Sequence, residues 1–354
     1  LILFSYDYLL VNIFYDLFKV YFLGYISKYL IDIFFLYRSN LKMVWFYLGS
    51  FEKYQILNKE ISKVDYFQRY EIIYFNDDLN NNQFESIEGY IIGDEYKMLK
   101  QNFNKLSFYK NKKIKIIKEI SWFERYLNKI PANILSENYL FDENFLSKEF
   151  YSSQVRIKRL GDVLISTFLL ICSIPIILIA GILIKLEDGG PVFYKQKRNG
   201  INENVFNIYK LRTMRVNAEK DGIQWSNLKD ERVTKIGRYL RLIRFDELPQ
   251  LLQVLAGDMS LIGPRPERPE FDQILSNEIP HYKLRYSVRP GLSGWAQVNY
   301  HYGSSTDDSK EKLSFDLFYL KNYSIWLDFL ILFKTIRLVC GAKGSLPKKA
   351  KQIL

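Results

Sequence analysis

The chain has 354 residues, 48% of them apolar, and 50 Lys and Arg against 39 Asp and Glu give a formal charge of +11. That much apolar material supports packed cores in two domains and excludes a wholly disordered chain. Two cysteines, Cys172 and Cys340, and two histidines, His281 and His301, exclude a disulfide scaffold and a cysteine-rich zinc site and leave no basis for a histidine triad, so any catalysis should rest on carboxylates.

The charge is unevenly placed. Residues 1–154 hold 19 basic and 19 acidic side chains, whereas 155–354 hold 31 and 20. A basic second part beside a long apolar segment points to anionic lipid headgroups or phosphorylated substrates rather than to nucleic acid.

In chain order, residues 1–40 form an apolar N-terminal segment broken by Asp7, Asp16, Lys19, Lys28 and Asp32. It reads either as the remainder of a longer membrane region or as an amphipathic helix. Residues 41–127 alternate short β-rich runs (Met43–Leu48, Glu71–Phe75, Gly89–Ile92, Lys113–Lys118) with polar stretches, which predicts a small Rossmann-like α/β domain with a parallel sheet. The first candidate strand-to-helix turn, Leu48-Gly49-Ser50-Phe51-Glu52, carries a single glycine, so a dinucleotide site there is unsupported and a scaffolding or regulatory role is expected. The composition of residues 128–154 predicts a connection, residues 155–344 a second domain, and 345–354 a tail.

Val163–Ile184 has no charged residue, and at about 1.5 Å per residue a helix of this length just crosses a hydrocarbon core. Ser173 and Pro175 lie at its centre, where proline removes a backbone hydrogen bond, and basic residues flank both ends. Two geometries satisfy these features: a kinked spanning helix, and a re-entrant hairpin over 160–186 whose ends lie on one side.

Asp246-Glu247-Leu248-Pro249-Gln250 precedes an apolar run ending at Gly257, the pattern of a short helix with Asp246 at or near its N-cap. A helix start lowers the pKa of a nearby carboxylate and attracts phosphate, and an ionised carboxylate beside phosphate is a candidate nucleophile for phosphoryl transfer. Downstream, Pro264 and Pro266 fix the backbone on both sides of Arg265, a guanidinium suited to two-pronged phosphate recognition. Lys210, Arg212, Arg238, Arg241 and Arg244 add cations that could meet a diphosphate.

These residues carry a resemblance. Lys158-Arg159, Asp162, Gly190-Pro191-Val192-Phe193, Lys210-Leu211-Arg212-Thr213-Met214, Asp246-Glu247, Gly257-Asp258-Met259-Ser260, Gly263-Pro264-Arg265-Pro266, Arg289-Pro290-Gly291, Gly294-Trp295-Ala296-Gln297-Val298-Asn299 and Trp326-Leu327-Asp328 together resemble the bacterial sugar transferases, or monotopic polyprenyl-phosphate phosphoglycosyl transferases. The resemblance covers nearly all of 155–344 and is nearest to the large members that start exopolysaccharide or O-antigen synthesis. It implies a mainly α-helical, membrane-associated catalytic domain with a re-entrant hairpin helix, although Ile174 separates Ser173 from Pro175 where the family has Ser-Pro. Large members also carry an N-terminal membrane bundle, so by this reading the chain is truncated.

The reaction implied is a two-step exchange with Mg²⁺. Asp246 attacks the sugar-bearing phosphate of a UDP-sugar, UMP leaves, and undecaprenyl phosphate takes the phosphosugar from the enzyme. Glu247 would help hold the metal, with Asp246, or handle the acceptor's proton. Asp316 matches a further functional acid, Arg241 and Arg265 match arginines near the donor, and Lys210 and Arg212 sit in another basic motif of the family. The partners implied are the UDP-sugar, undecaprenyl phosphate and membrane lipid, without nucleic acid; homo-oligomerisation is left open. The site implied is the cytoplasmic face of a bacterial inner membrane. The rival reading is a catalytically silent membrane-bound scaffold for polysaccharide assembly.

Three weaker signals remain. Phe315 to Val339, in which Tyr319, Trp326, Phe329, Leu330, Phe333 and Ile336 are interspersed with Lys321, Lys334 and Arg337, predicts amphipathic helices in the membrane interface or, alternatively, plain core packing. His281 and His301 read as loop or surface histidines, and Cys172 as a small apolar side chain.

Overall fold

A computed structural model describes residues 43–63, 70–75, 87–93, 114–142, 153–218, 230–300 and 305–340. The expectations for residues 1–40, the tail 345–354 and His301 lie outside these. The chain divides into two compact units, Leu1–Glu119 and Ile120–Leu354.

In the first unit four parallel strands, β1 (Met43–Leu48), β2 (Tyr70–Tyr74), β3 (Ile87–Ile92) and β4 (Lys115–Lys118), lie in the order β2-β1-β3-β4. The parallel α/β sheet expected from the alternating runs is therefore present. The interior strand β1, Val-Trp-Phe-Tyr-Leu after Met43, is buried at every one of those five positions, as a strand covered on both faces must be. The turn after it feeds helix α1 (Phe51–Ser62), whose first turn is capped by the Ser50 hydroxyl, which accepts from the Lys53 N–H.

The second unit is mostly helical and is built around one 36-residue helix, α2 (Ser153–Asp188), which contains Pro175. Of the described helices it alone is long and apolar enough to cross a membrane. Its central side chains Phe168, Ile171, Ile174, Leu178, Ile179 and Ile182 are exposed, not covered by the described residues, while the small Ser166 and Ser173 among them are buried. Hydroxyls bond back along the helix at several points: Thr167 Oγ1 donates to the Val163 carbonyl at 2.7 Å and Ser173 Oγ to the Leu170 carbonyl at 2.9 Å. Such side-chain bonds, together with the N–H that Pro175 lacks, weaken the ladder in mid-helix and favour a bend there.

Both ends of α2 are fastened to the same folded body. At the N-terminal end, Lys158 Nζ donates to the Ile262 carbonyl (2.9 Å) and pairs with Asp328 (2.7 Å). Arg159 reaches the Val254 and Leu255 carbonyls at 2.6 and 2.9 Å, and Asp162 accepts the Leu261 N–H at 3.1 Å. The Arg159 contacts satisfy the orphan carbonyls at the C-terminus of α4 (Leu251–Ala256), which Gly257 closes at φ +97°. At the other end, Ala180 and Ile184 pack with Leu211 and Leu240, and Glu187 accepts the Lys235 N–H that opens α3 (Lys235–Leu242).

After α2 comes the antiparallel pair β5 (Phe193–Asn199) and β6 (Val205–Leu211). After α4 come β7 (Ser260–Ile262), helix α5 (Pro269–Glu278), β8 (Gly291–Ser293), α6 (Trp295–Asn299), α7 (Thr306–Lys321) and α8 (Ile325–Cys340), with β7 and β8 parallel. The two strands approach so closely that a Cβ at Gly291 would lie 2.1 Å from the Gly263 nitrogen, which is why the Arg289-Pro290-Gly291 motif ends in glycine. Arg289 itself donates to the Gly257 carbonyl at 2.9 Å.

The front of the stretch expected to be a connection, up to Leu135, is held on this unit. Ile130 N–H donates to the Ser314 carbonyl (2.8 Å), Trp295 Nε1 to the Asn128 carbonyl (2.9 Å), and buried Lys129 pairs with Glu311 on α7 (2.5 Å). His281 lies at a turn with φ +59° and its Nε2 is 3.3 Å from the Leu135 carbonyl, a loop histidine with a backbone partner. Cys172 is exposed on the apolar face of α2. The segment from Phe315 to Val339 divides: on α7, Phe315 and Tyr319 are buried and belong to the core, against the interfacial expectation, whereas on α8 Trp326, Phe329, Leu330, Phe333 and Ile336 are all exposed, the arrangement of an interfacial helix.

Candidate active site

The acidic pair lies in a tight 3₁₀ turn, Phe245–Gln250, that leads directly into α4. This differs from the expected cap. Arg244, in the left-handed region at φ +59°, starts the turn without a side-chain cap, and Asp246 lies inside it. The tighter winding follows from Pro249 in the turn and from strand β6, which runs alongside it.

The consequence is electrostatic. The Asp246 carboxylate is buried and accepts no hydrogen bond from the described residues, so the lowering expected from a helix start does not occur. Burial, reinforced by the neighbouring Glu247 charge, raises Asp246 above the ordinary carboxylate range, against the pull of Lys210, Arg241 and Arg265. For Glu247, burial alone would also raise it, but Arg265, Lys210 and Arg244 outweigh that cost and hold it well below the ordinary value.

The geometry explains the difference. Arg265 approaches Glu247 with both terminal nitrogens, NH2 to Oε1 at 2.5 Å and NH1 to Oε2 at 3.4 Å. Lys210 Nζ lies 3.2 Å from Oε1 and Arg244 NH1 3.6 Å from Oε2. One carboxylate of the dyad thus gathers cations while its neighbour accepts no hydrogen bond from the described residues. Four cations, Lys210, Arg241, Arg244 and Arg265, act on two carboxylates, leaving an excess of positive charge that suits a di-anionic phosphate ligand. Burial also lowers the pKa of Lys210, opposed by Glu247.

The other residues singled out from the sequence separate into distinct places. Arg241 Nε donates to Thr213 Oγ1 at 2.8 Å, which holds it at the edge of the cluster. Arg212, two residues from Lys210, turns instead to Asp188 at the end of α2 and forms a two-pronged ion pair with it. Asp316 is buried on α7 and pairs with Arg285 at 3.0 Å, so it does not join the dyad directly. Burial pushes the Asp316 carboxyl up to about 6 despite that arginine. Ser173 and Pro175 lie in the middle of the exposed apolar stretch of α2. Sequence reasoning missed Asp188, Arg198 and Arg285, which have no local motif marking them as partners of residues 20 to 68 positions away.

Pro264 and Pro266 frame Arg265 as expected, and the segment is held by its carbonyls because its prolines have no N–H to donate. The Pro264 carbonyl accepts from Gly291 N–H (2.8 Å), that of Arg265 from Arg285 NH2 (2.9 Å), and that of Pro266 from Arg198 NH1 (3.1 Å).

Comparison with known proteins places the chain. A 44% identical relative in Aeromonas hydrophila, a UDP-N-acetylgalactosamine-undecaprenyl-phosphate N-acetylgalactosaminephosphotransferase, aligns over 65% of this chain and 52% of its own length. A Caulobacter vibrioides UDP-glucose:undecaprenyl-phosphate glucose-1-phosphate transferase is 40% identical over 51% of this chain and 68% of its own. An uncharacterized sugar transferase, EpsL, of Bacillus subtilis is 41% identical over 53% of this chain and 89% of its own. The chain spans about half the length of the Aeromonas relative. The family description of bacterial sugar transferases matches residues 153–342, which include the acidic dyad and its cations, α2 with both of its attachments, and Asp316. More than half of the sequence lies within that match, and the chain belongs to the bacterial sugar transferase family.

Proposed function

We propose that this protein transfers a sugar phosphate from a UDP-sugar to undecaprenyl phosphate through an intermediate covalently held on Asp246. The observation that carries the reading is the unequal dyad: Glu247 is clasped by Arg265, Lys210 and Arg244, and Asp246 beside it accepts no hydrogen bond from the described residues. An Asp246 oxygen attacks the sugar-bearing phosphorus, the bond from that phosphorus to the UMP oxygen breaks, and UMP departs with the bonding electrons. An oxygen of undecaprenyl phosphate then attacks the same phosphorus and releases the Asp246 carboxylate, leaving a diphosphate-linked sugar. Lys210, Arg241 and Arg265 offset the charge that collects on the phosphate oxygens. Glu247, held well below the ordinary range, is a poor proton acceptor, and its role in this reading is to organise the cations.

Mg²⁺ belongs to the same proposal. Among the described residues no three His, Cys, Asp or Glu side chains converge as a metal cage. The donor set nevertheless fits Mg²⁺, which is commonly held by one or two carboxylates and the substrate's own phosphates. Asp246 has unused oxygen lone pairs for it, whereas those of Glu247 are largely taken by cations. When bound, Mg²⁺ would neutralise phosphate charge in the donor.

The re-entrant geometry of α2 is the second part of the proposal, with the catalytic domain on the cytoplasmic face of a bacterial inner membrane. A straight helix of 36 residues would extend about 54 Å at about 1.5 Å per residue, yet Lys158 to Asp162 and Ala180 to Asp188 are fastened to one folded unit. Ends held on one body favour an apolar middle that dips into one leaflet and returns. In a chain with Cys172→Ser and Cys340→Ser, cysteines placed at the exposed positions Ile157 and Leu186 should both react with an impermeant maleimide from the same side of sealed vesicles. Reaction from opposite sides would make α2 a spanning helix.

The reaction itself is tested by UMP release from a panel of UDP-sugars, using detergent-extracted protein with Mg²⁺ and undecaprenyl phosphate. Release from one or a few donors is expected. A folded protein that releases UMP from none would favour the scaffold.

A further inference from the structure

Arg265 is flanked by two prolines, so its main chain cannot be anchored through those neighbours' N–H groups, and its guanidinium must still meet Glu247 within hydrogen-bond reach. What fixes it comes from elsewhere in the chain. Arg285 NH2 donates to the Arg265 carbonyl at 2.9 Å and to Asp316 Oδ2 at 3.0 Å, while its NH1 donates to the Tyr282 hydroxyl. Arg285 is 5% exposed and Asp316 1%, and the rings of Tyr282 and Tyr286 lie 5.0 and 5.9 Å from the guanidinium carbon. No solvent or ligand can reach the Asp316 carboxylate without displacing this packing. The nearest element of the dyad cluster that the pair touches is the main chain of Arg265.

We propose that Arg285 and Asp316 form a positioning brace: Asp316 neutralises and orients Arg285, and Arg285 locks the Arg265 carbonyl so that the Arg265 side chain is held against Glu247. Neither residue touches the reacting atoms. Asp316 is thereby a positioning residue acting through two intermediates. Asp316 accepts directly from Arg285 at 3.0 Å, whereas the Glu267 carboxylate stands off at 4.0 Å, so without Asp316 the buried guanidinium would keep only that distant partner, lose its orientation and loosen its hold on the Arg265 main chain. The brace rests on the reaction proposed above, because its effect on turnover is read through that reaction.

The test uses the whole chain in detergent with Arg285→Lys, which keeps a buried cation for Asp316 but not the planar fork, and with Asp316→Asn. Two readouts are taken at matched thermal midpoints. The first is the single-turnover rate of UMP release per folded enzyme. Displacing a substrate-orienting group by about 1 Å can cost about a hundredfold, so a fall of at least about tenfold is expected in Arg285→Lys, while the steady-state KM for undecaprenyl phosphate, measured separately, changes by less than about threefold. The second, which needs no activity, is hydrogen exchange: faster exchange confined to the peptides covering 263–268 is expected in both variants. Wild-type rates per folded enzyme together with unchanged exchange at 263–268 in Arg285→Lys would overturn the brace, whether or not Asp316→Asn folds. If the wild-type chain releases no UMP from any donor, the reaction has failed, and the exchange data alone decide the brace.

Discussion

Asp246→Asn should abolish UMP release and lipid-linked product while leaving the protein folded and membrane-bound. The amide keeps the size of the side chain and removes only the nucleophilic oxygen and its charge. No packing depends on that charge, since the Asp246 carboxylate accepts no hydrogen bond from the described residues. Removal of a covalent nucleophile is among the costliest single changes an enzyme can suffer, and a loss of at least about a thousandfold is expected. The thermal midpoint should hold or rise, because the variant no longer buries an ionisable carboxyl beside Glu247. Turnover assay and thermal denaturation on the same preparation check both halves. Residual activity above a few per cent would remove Asp246 from the nucleophile's place.

Glu247→Gln carries the second large effect, through a different route. The substitution deprives Arg265, Lys210 and Arg244 of the anion that gathers them. Three cations left close together repel one another, and the arginine fork loses its two-pronged partner, so a fall of about 10² to 10³ in the rate of UMP release is expected. The pH dependence should move as well. In the native site Asp246 is held above the ordinary carboxylate range by burial and by Glu247, so acidification silences the nucleophile earlier than it would an exposed aspartate. Removing the Glu247 charge removes one of the two raising effects and leaves the cations, so the acid limb of the rate profile should shift to lower pH in Glu247→Gln. A shift to higher pH, or none, would show that the two carboxylates do not interact as their proximity indicates.

How much of this was legible in the sequence follows from the range of the interactions involved. The strands of the first unit could be read because each is a short apolar run whose neighbours in the sheet impose only alternation and burial, as in Val44 to Leu48. The long helix α2 could be read because an uncharged run from 163 to 184 admits few other structures in either lipid or protein. The dyad and the prolines flanking Arg265 were visible as motifs, and so was the supply of cations. Which cation meets which acid was not visible, since each pair joins distant parts of the chain: Lys210 with Glu247, Arg212 with Asp188, Lys158 with Asp328, Arg285 with Asp316. Lys210 and Arg212 look equivalent in one basic motif, yet only the first belongs to the acidic dyad.

Local rules also misjudged the environment of Asp246. A helix start was expected to stabilise its charge, but the tight 3₁₀ turn buries the carboxyl, and Glu247 beside it works in the opposite direction. The front of the expected connection showed no periodicity because its order comes from α7 rather than from itself, through Ile130 on the Ser314 carbonyl and Lys129 on Glu311. Composition reports local propensity, and in both places a tertiary contact decided the outcome.

Whether Asp246 carries the sugar phosphate between donor and acceptor is decided by intact-protein mass spectrometry of the chain incubated with its UDP-sugar and Mg²⁺ in the absence of undecaprenyl phosphate. A mass increase of one phosphosugar is expected, mapped to the peptide containing Asp246, absent from Asp246→Asn and discharged on adding undecaprenyl phosphate. A chain that turns over donor and acceptor normally but forms no adduct at Asp246 would contradict it.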